Sequence, residues 1–299
     1  LLFASPLQNF GELCAQRNEY MGELKMVVTD LDGTLLQNDQ SISKEDLETL
    51  NLLGSLGICR VAATGRNLFK VRKALNPSDP FDYVICSSGA GIVDWQKQEI
   101  IRAINLPGEL TARLIQYLIE HGYNFKVSDC FPDNHNFFWW KNYECPEIER
   151  YIVHHLKMGK AEEIIPGNKY NSSQLLLFFP KDSSQFEKVK KELQSHFSEI
   201  SIIRTTSPLD ENWLWMEIFP KGISKANGIE EICYLKGIDQ TETLGIGNDF
   251  NDMEMLDFTY LSYVVHNSPE ELKEKFLISL PHHENGFSHA VRKHLTKAK

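Results

Sequence analysis

A chain of 299 residues with 42% hydrophobic and 24% charged residues has room for two domains with substantial cores. Its formal net charge of −10 argues against nucleic acid or an anionic membrane surface as a partner, and no apolar run approaches membrane-spanning length. The cysteines at 14, 59, 86, 130, 145 and 233 show no C-x-x-C and no metal-type spacing. They read as thiols of a reducing cytosol, so a cytoplasmic location is expected.

In chain order, Leu1–Lys25 reads as an extension, too short in its apolar stretch and too poor in basic residues for a signal segment. Met26–Thr34, M-V-V-T-D-L-D-G-T, begins with a short buried strand, Val27–Thr29, and runs into Asp30, Asp32 and the turn residue Gly33. Ser43 is a good N-cap with Asp46 three residues on, and Leu47, Leu50, Leu53 and Leu56 are the expected buried stripe of the helix ending at Gly57. A second buried strand ends at Thr64–Gly65, Asn67–Leu75 is helical, and Tyr83–Cys86 is a third strand before the turn S-S-G-A-G. This rhythm of strand and helix predicts a doubly wound parallel sheet.

From Asn105 the pattern changes to two strands per helix, which predicts an inserted α+β domain with an antiparallel sheet and helices on one face. Its helices are expected at Pro107–Gly122, Pro146–Gly159 and Ser184–His196. Its strands are expected at Tyr123–Asp129, Asn134–Trp140, Gln174–Phe179, Ile200–Thr205 and Trp213–Phe219. Pro220 returns the chain to the first domain, with a helix at Ser224–Tyr234, strands at Thr243–Ile246 and Leu261–Val265, and helices at Asp252–Leu256, Pro269–Phe276 and Phe287–Leu295. The expected division is an extension over residues 1–24, a Rossmann-like core from 25–104 and 219–299, and an insert over 105–218. The pairs His154–His155 and His282–His283 point apart on a helix and read as surface features.

Four short pieces carry chemistry. Asp30 and Asp32, at the end of a buried strand, would repel and raise each other's pKa unless a cation lay between them, and a hard oxygen-seeking ion such as Mg²⁺ suits them. A lone D-x-D reads as an acidic turn; the other pieces take it further. Thr64, with Gly65 allowing close approach, can hold a phosphate oxygen. Lys225 stands in the first turn of a helix, where the dipole disfavours a cation, so a nearby anion would rationalise it; Lys221 competes for this role. Gly245–Asp252, G-I-G-N-D-F-N-D, offers two Asn and two Asp in five residues after a strand, an oxygen-rich cation site.

Together D-L-D-G-T, T-G-R, S-K and G-N-D-F-N-D resemble, in order and local context, the four motifs of the haloacid dehalogenase superfamily. The large insert between the second and third pieces, with I-C-S-S-G-A, P-K-G-I-S-K, N-D-M-E-M-L and E-N-G-F, resembles the Cof-type branch with its α/β cap. The resemblance implies a Mg²⁺-dependent phosphatase of a small phosphorylated metabolite, a sugar phosphate first among candidates, with no protein partner indicated. Asp30 would be the nucleophile and Asp32 the acid and base. Thr64, Gly65 and Lys225 would hold the phosphoryl oxygens, with Asn267 nearby. The metal would draw on Asp30, the Asp32 carbonyl and the segment holding Asn248, Asp249 and Asp252. The fourth motif departs from the family's G-D-x-x-N-D: Asn248 stands where the first Asp is usual, which removes one charge from the metal site. A phosphomutase and a metabolite-phosphate sensor without turnover are the alternative functions.

Overall fold

The computed structural model describes residues 23–181 and 183–295, so Cys14 and all but the last two residues of the expected extension lie outside the described residues. The first strands are β1 (Met26–Thr29), β2 (Cys59–Ala63), β3 (Tyr83–Cys86), β4 (Gly91–Asp94) and β5 (Glu99–Ala103). Next come β6 (Phe125–Ser128), β7 (Phe137–Trp140), β8 (Ala161–Glu163), β9 (Gln174–Pro180), β10 (Ile200–Thr206) and β11 (Trp213–Pro220). The last are β12 (Thr243–Gly247), β13 (Leu261–Val265) and β14 (Leu277–Ser279). They form two sheets, one in the order β14-β13-β12-β1-β2-β3-β4-β5 and the other β10-β11-β9-β6-β7-β8.

The first sheet is parallel from β14 to β3, with β1 between β12 and β2. The strands β1, β12 and β13 are buried along their whole length because helices cover both faces, hence the apolar run M-V-V of β1 and the largely apolar L-S-Y-V-V of β13. The hairpin β4–β5, antiparallel on the edge, goes unseen in the sequence reading: G-I-V-D is too short and E-I-I-R-A too exposed to give a clear alternation. Of the two helices expected beyond β13, Pro269–Phe276 is a single turn, Glu270–Lys273, after which the chain adds β14, and the other is present as Gly286–Leu295. Among the described residues no helix is long and apolar enough to cross a membrane.

Ser43 caps the helix Lys44–Ser55, its Oγ accepting from the Asp46 N–H at 3.1 Å. The expected stripe is only half right. Leu50 and Leu53 are buried, whereas Leu47 and Leu56 are 36% and 55% exposed. Asp46 and Thr49 take the buried positions instead, because the helix Gly286–Leu295 offers Ser288, whose N–H and hydroxyl both donate to Asp46.

In the second sheet alternate residues serve different layers. Phe125, Val127, Leu175, Leu177, Leu214, Met216 and Ile218 pack against the helices Gly108–Glu120 and Ser183–His196. On the opposite face Phe137, Leu176, Phe178 and Trp215 meet Ile148 and Tyr151 of the helix Pro146–His155. The expectation of helices on one face alone is therefore corrected. The aromatic strands F-F-W-W and W-L-W carry apolar residues on both sides, and the second face needs its own cover.

Candidate active site

The parallel sheet delivers three of the four sequence pieces to one edge by register. Thr29 pairs with Ile246 on one side and Ala62 on the other, so Asp30, Gly247 and Thr64 leave their strands close together, at the carboxyl ends where open α/β sheets hold ligands. The Asp30 N–H donates to Ile246 O at 2.9 Å and the Thr64 N–H to Ile85 O at 2.9 Å. The fourth piece, Lys225, opens the helix Lys225–Lys236, capped by Ser224.

Lys225 is 1% exposed, and its ammonium bridges Asp30 Oδ1 at 2.7 Å and Asp252 Oδ1 at 2.5 Å. The anion that its position called for is thus supplied in part by the protein. Burial alone would lower the Lys225 pKa, but Asp252 and Asp30 outweigh it and hold it above the usual lysine range. Burial pushes Asp30 up to about 7, against the pull of Lys225 and with the repulsion of Asp252 and Asp32. The other Asp30 oxygen has no protein partner among the described residues.

Asp252 is a structural anchor. Its second oxygen accepts from the N–H groups of Asn248 and Asp249 at 2.8 and 3.1 Å, closing the turn. Gly247 is required there, since a Cβ on it would lie 2.7 Å from the Asp252 carboxylate. Asp249 is committed to the second sheet: its carboxylate accepts from the N–H and hydroxyl of Thr206 on β10, both at 3.0 Å. With both oxygens bound to the second sheet, Asp249 ties the two parts of the chain together. Asn248 lies over Gly33, with its amide nitrogen 2.6 Å from where a Cβ of Gly33 would stand; Gly33, at φ +71°, belongs there on both counts.

Asp32 is half exposed and gripped by the Arg66 guanidinium, with Nε donating to Oδ2 at 2.6 Å and Nη2 to Oδ1. Arg66 also reaches Gln40 and is the residue that sequence reasoning passed over; its signal was its place directly after Thr64–Gly65. Thr64 is buried, and its hydroxyl accepts from the Arg66 N–H at 3.1 Å. Asn267 spends its amide on the backbone, donating to Gly33 O at 2.9 Å and accepting from the His282 N–H at 3.0 Å. It thereby steadies the loop after Asp32.

These residues floor a cavity of about 590 Å³, within the usual range for a small-molecule site. The second sheet roofs it with Lys126, Gln174, Leu176, Trp215 and Glu217, and Tyr151 and His155 close one side. His155, expected on the surface, is 3% exposed and stacks on Tyr151 at 3.8 Å. The roof rests on the turn after β3. Ser87 and Ser88 both have positive φ, 48° and 55°, an uncommon strain for serine. Ser87 Oγ accepts from Asn134 Nδ2 at 2.8 Å and Ser88 Oγ donates to Glu217 Oε2 at 3.2 Å.

Asp30, Asn248, Asp249 and Asn251 all line the cavity; with both Asp249 oxygens taken by Thr206, the free Asp30 oxygen and the Asn248 amide remain as candidate donors to a cation there. Among the described residues no three His, Cys, Asp or Glu side chains gather into a metal cluster. One carboxylate and one amide suit a hard cation that keeps most of its water, so this donor set fits Mg²⁺ better than a transition metal.

A parallel core with a carboxylate at the end of its central strand, roofed by an inserted sheet, is the architecture of the haloacid dehalogenase-like hydrolases. The model of that family matches residues 27–291, and the chain belongs to it. It is 23% identical over 292 residues to the 5-amino-6-(5-phospho-D-ribitylamino)uracil phosphatase of Bacillus subtilis, covering 90% of this chain and 97% of that protein. Among solved structures, a haloalkanoate-superfamily phosphatase from Bacteroides thetaiotaomicron superposes with a TM-score of 0.73 at 20% identity, covering 91% of this chain and 95% of that one. A subclass IIB sugar phosphatase superposes with a TM-score of 0.70, also at 20% identity, covering 90% and 98%. Within the family the chain is an enzyme of the phosphatase kind.

Proposed function

We propose that the protein is a Mg²⁺-dependent phosphatase of a small phosphorylated metabolite, with sugar phosphates the first class to test. The observation that carries this reading is Asp30, buried on the cavity floor with one oxygen held by Lys225 and the other open. One Asp30 oxygen would attack phosphorus while the other served the cation, the ester P–O bond would break, and Asp32 would give its proton to the departing alkoxide. Water would then add to the same phosphorus with its proton passing to Asp32, and the bond to Asp30 would break to release orthophosphate. Thr64 and Lys225 would steady the phosphoryl oxygens, and Arg66 would hold Asp32 at the cavity edge between the two steps. Bound Mg²⁺ would be held by Asp30 and Asn248 and would supply the charge that offsets carboxylate and phosphoryl oxygens. Residues 105–218 would act as a cap over the core formed by 25–104 and 219–299, excluding water from the aspartyl phosphate. The substrate class draws support from the relatives, one named for a phosphorylated ribityl compound and one described as a sugar phosphatase.

The direct test is phosphate release from a panel of sugar phosphates and other phosphate esters, with Mg²⁺ and with EDTA. Release that requires Mg²⁺ is expected; no release from any ester would overturn the reading. Two further outcomes bear on the metal. Asn248→Asp restores the missing charge and should lower the Mg²⁺ concentration for half-maximal activity by about tenfold, on the scale of one added charge-assisted contact. Unchanged metal dependence in that variant would remove Asn248 from the site.

Proton and cation also compete for Asp30. Its pKa of about 7 lies above the ordinary carboxylate value, so below neutrality the proton must leave before the cation enters. The half-maximal Mg²⁺ concentration should rise about tenfold per pH unit below 7 and level off above it. A flat profile between pH 5 and about 7 would show that Asp30 is already ionised without the metal.

A further inference from the structure

The roof of the cavity carries charge that the chemistry at Asp30 does not use. One row across the second sheet runs Trp139, Lys126, Leu176, Glu217 over β7, β6, β9 and β11. Residues in such a row share a face of the sheet, and Lys126, Leu176 and Glu217 all line the cavity. Lys126 is 3% exposed, and its ammonium donates to Ser128 Oγ and to Gln174 Oε1 at 2.9 Å, both neutral partners.

Lys70, on the helix Leu68–Ala74 of the core, approaches from below, with its ammonium 2.7 Å from His155 Nε2. The proton assignment follows from the other ring nitrogen. His155 Nδ1 lies 2.8 Å from the Tyr151 carbonyl, which can only accept, so Nδ1 carries the hydrogen and Nε2 offers its lone pair to Lys70. Burial and the neighbouring Lys70 hold the His155 pKa down to about 2, which keeps the ring neutral.

Neither lysine is in an ion pair among the described residues. The acid on the same wall, Glu217, turns to Ser88, and burial raises its pKa. Burying an ammonium with no carboxylate in direct contact is costly: Glu217 pulls Lys126 upward, and Asp32 and Glu217 pull Lys70 upward, but burial outweighs them and pushes Lys126 down to about 7 and Lys70 to about 8. A ligand anion would meet both. Glu217 and the neutral groups of the roof can meanwhile bond hydroxyls.

We propose that the Lys70–Lys126 end of the cavity receives a second anionic group of the substrate, so that the preferred esters are polyhydroxylated phosphates bearing a remote carboxylate or further phosphate. The assignment of ends rests on the phosphatase reading, in which the scissile phosphate lies at Asp30. It narrows the sugar-phosphate class to its acidic members.

The test compares three esters: glucose 6-phosphate, 6-phosphogluconate and fructose 1,6-bisphosphate. Phosphate release by the wild-type protein should show kcat/KM at least about tenfold higher on one of the two acidic esters than on glucose 6-phosphate, the scale of one charge-assisted hydrogen bond. Which acid wins tells carboxylate from phosphate. Lys126→Met should bring the ratio of acidic to neutral ester to within about threefold of one, a selectivity change that lost packing would not produce. Lys70→Met, at a half-buried position, should do the same if Lys126→Met fails to fold, and Lys70→Arg should retain the preference. Calorimetric titration of Asp30→Asn with the same esters reads binding without turnover. Phosphate release with no preference among the three esters overturns the anionic subsite and leaves the phosphatase reading standing. Charge-selective binding with no release from any ester supports the subsite and overturns the phosphatase reading.

Discussion

Asp30→Asn should reduce kcat by about four orders of magnitude or more, since the amide cannot form the bond to phosphorus and the step has no substitute nucleophile of the same reach. The fold should survive. Lys225 keeps Asp252 as its partner at 2.5 Å, and the neutral amide avoids the desolvation that pushes Asp30 up to about 7. Turnover within tenfold of wild type, measured by phosphate release from the best ester, would exclude Asp30 as nucleophile. Trapping with the wild-type protein adds a direct sign: an acid-stable, hydroxylamine-sensitive phosphoryl label should form on the chain and be missing from the variant.

Lys225→Met should be the most damaging single change to stability and activity together. It leaves Asp30 and Asp252 as buried carboxylates without their shared cation, and removing one partner of a buried pair costs about 3–5 kcal/mol. Activity should fall at least about a hundredfold through the lost contact to the transferring group. The stability loss has a sign in pH. Burial already raises the Asp30 pKa, and without the ammonium its ionised form loses its cation, so the deficit should be smallest in acid, where Asp30 is protonated, and grow as pH rises toward neutrality. Denaturant unfolding of both proteins at pH 5 and about 8 measures this. A deficit that is equal at the two pH values would mean that the Lys225 charge is not what holds the turn of Asp252 in place.

Much of the core was legible because its signals are local. A buried β1 ending in Asp30, a capped helix at Ser43 and the T-G exit of β2 each follow from a few neighbouring residues, and β-α alternation sets the parallel sheet. Helix lengths and stripes were less secure. Asp46 and Thr49 displaced Leu47 and Leu56 from the interior because Ser288, more than two hundred residues away, could satisfy their polar groups. The one-turn helix Glu270–Lys273 and the edge strands β5 and β14 depend on which neighbour a short segment finds, and that choice is made in three dimensions.

The sequence by itself therefore determined the kind of chemistry: two carboxylates after a buried strand, a hydroxyl at the next strand's end, a lysine opening a helix and an amide-rich turn admit few other readings. What only the tertiary structure decided is how these groups are committed. Asp252 proved to anchor Lys225 and the turn backbone, Asp249 to bind Thr206 across the cavity, and Asn267 to hold Gly33. His155, one of an adjacent pair that reads as surface, became the neutral partner of Lys70 inside the cavity. The physical reason is the same in each case. A side chain's chemistry is fixed by its type, but its partner and protonation depend on burial and on groups brought close by strands remote in the chain, which no local pattern encodes.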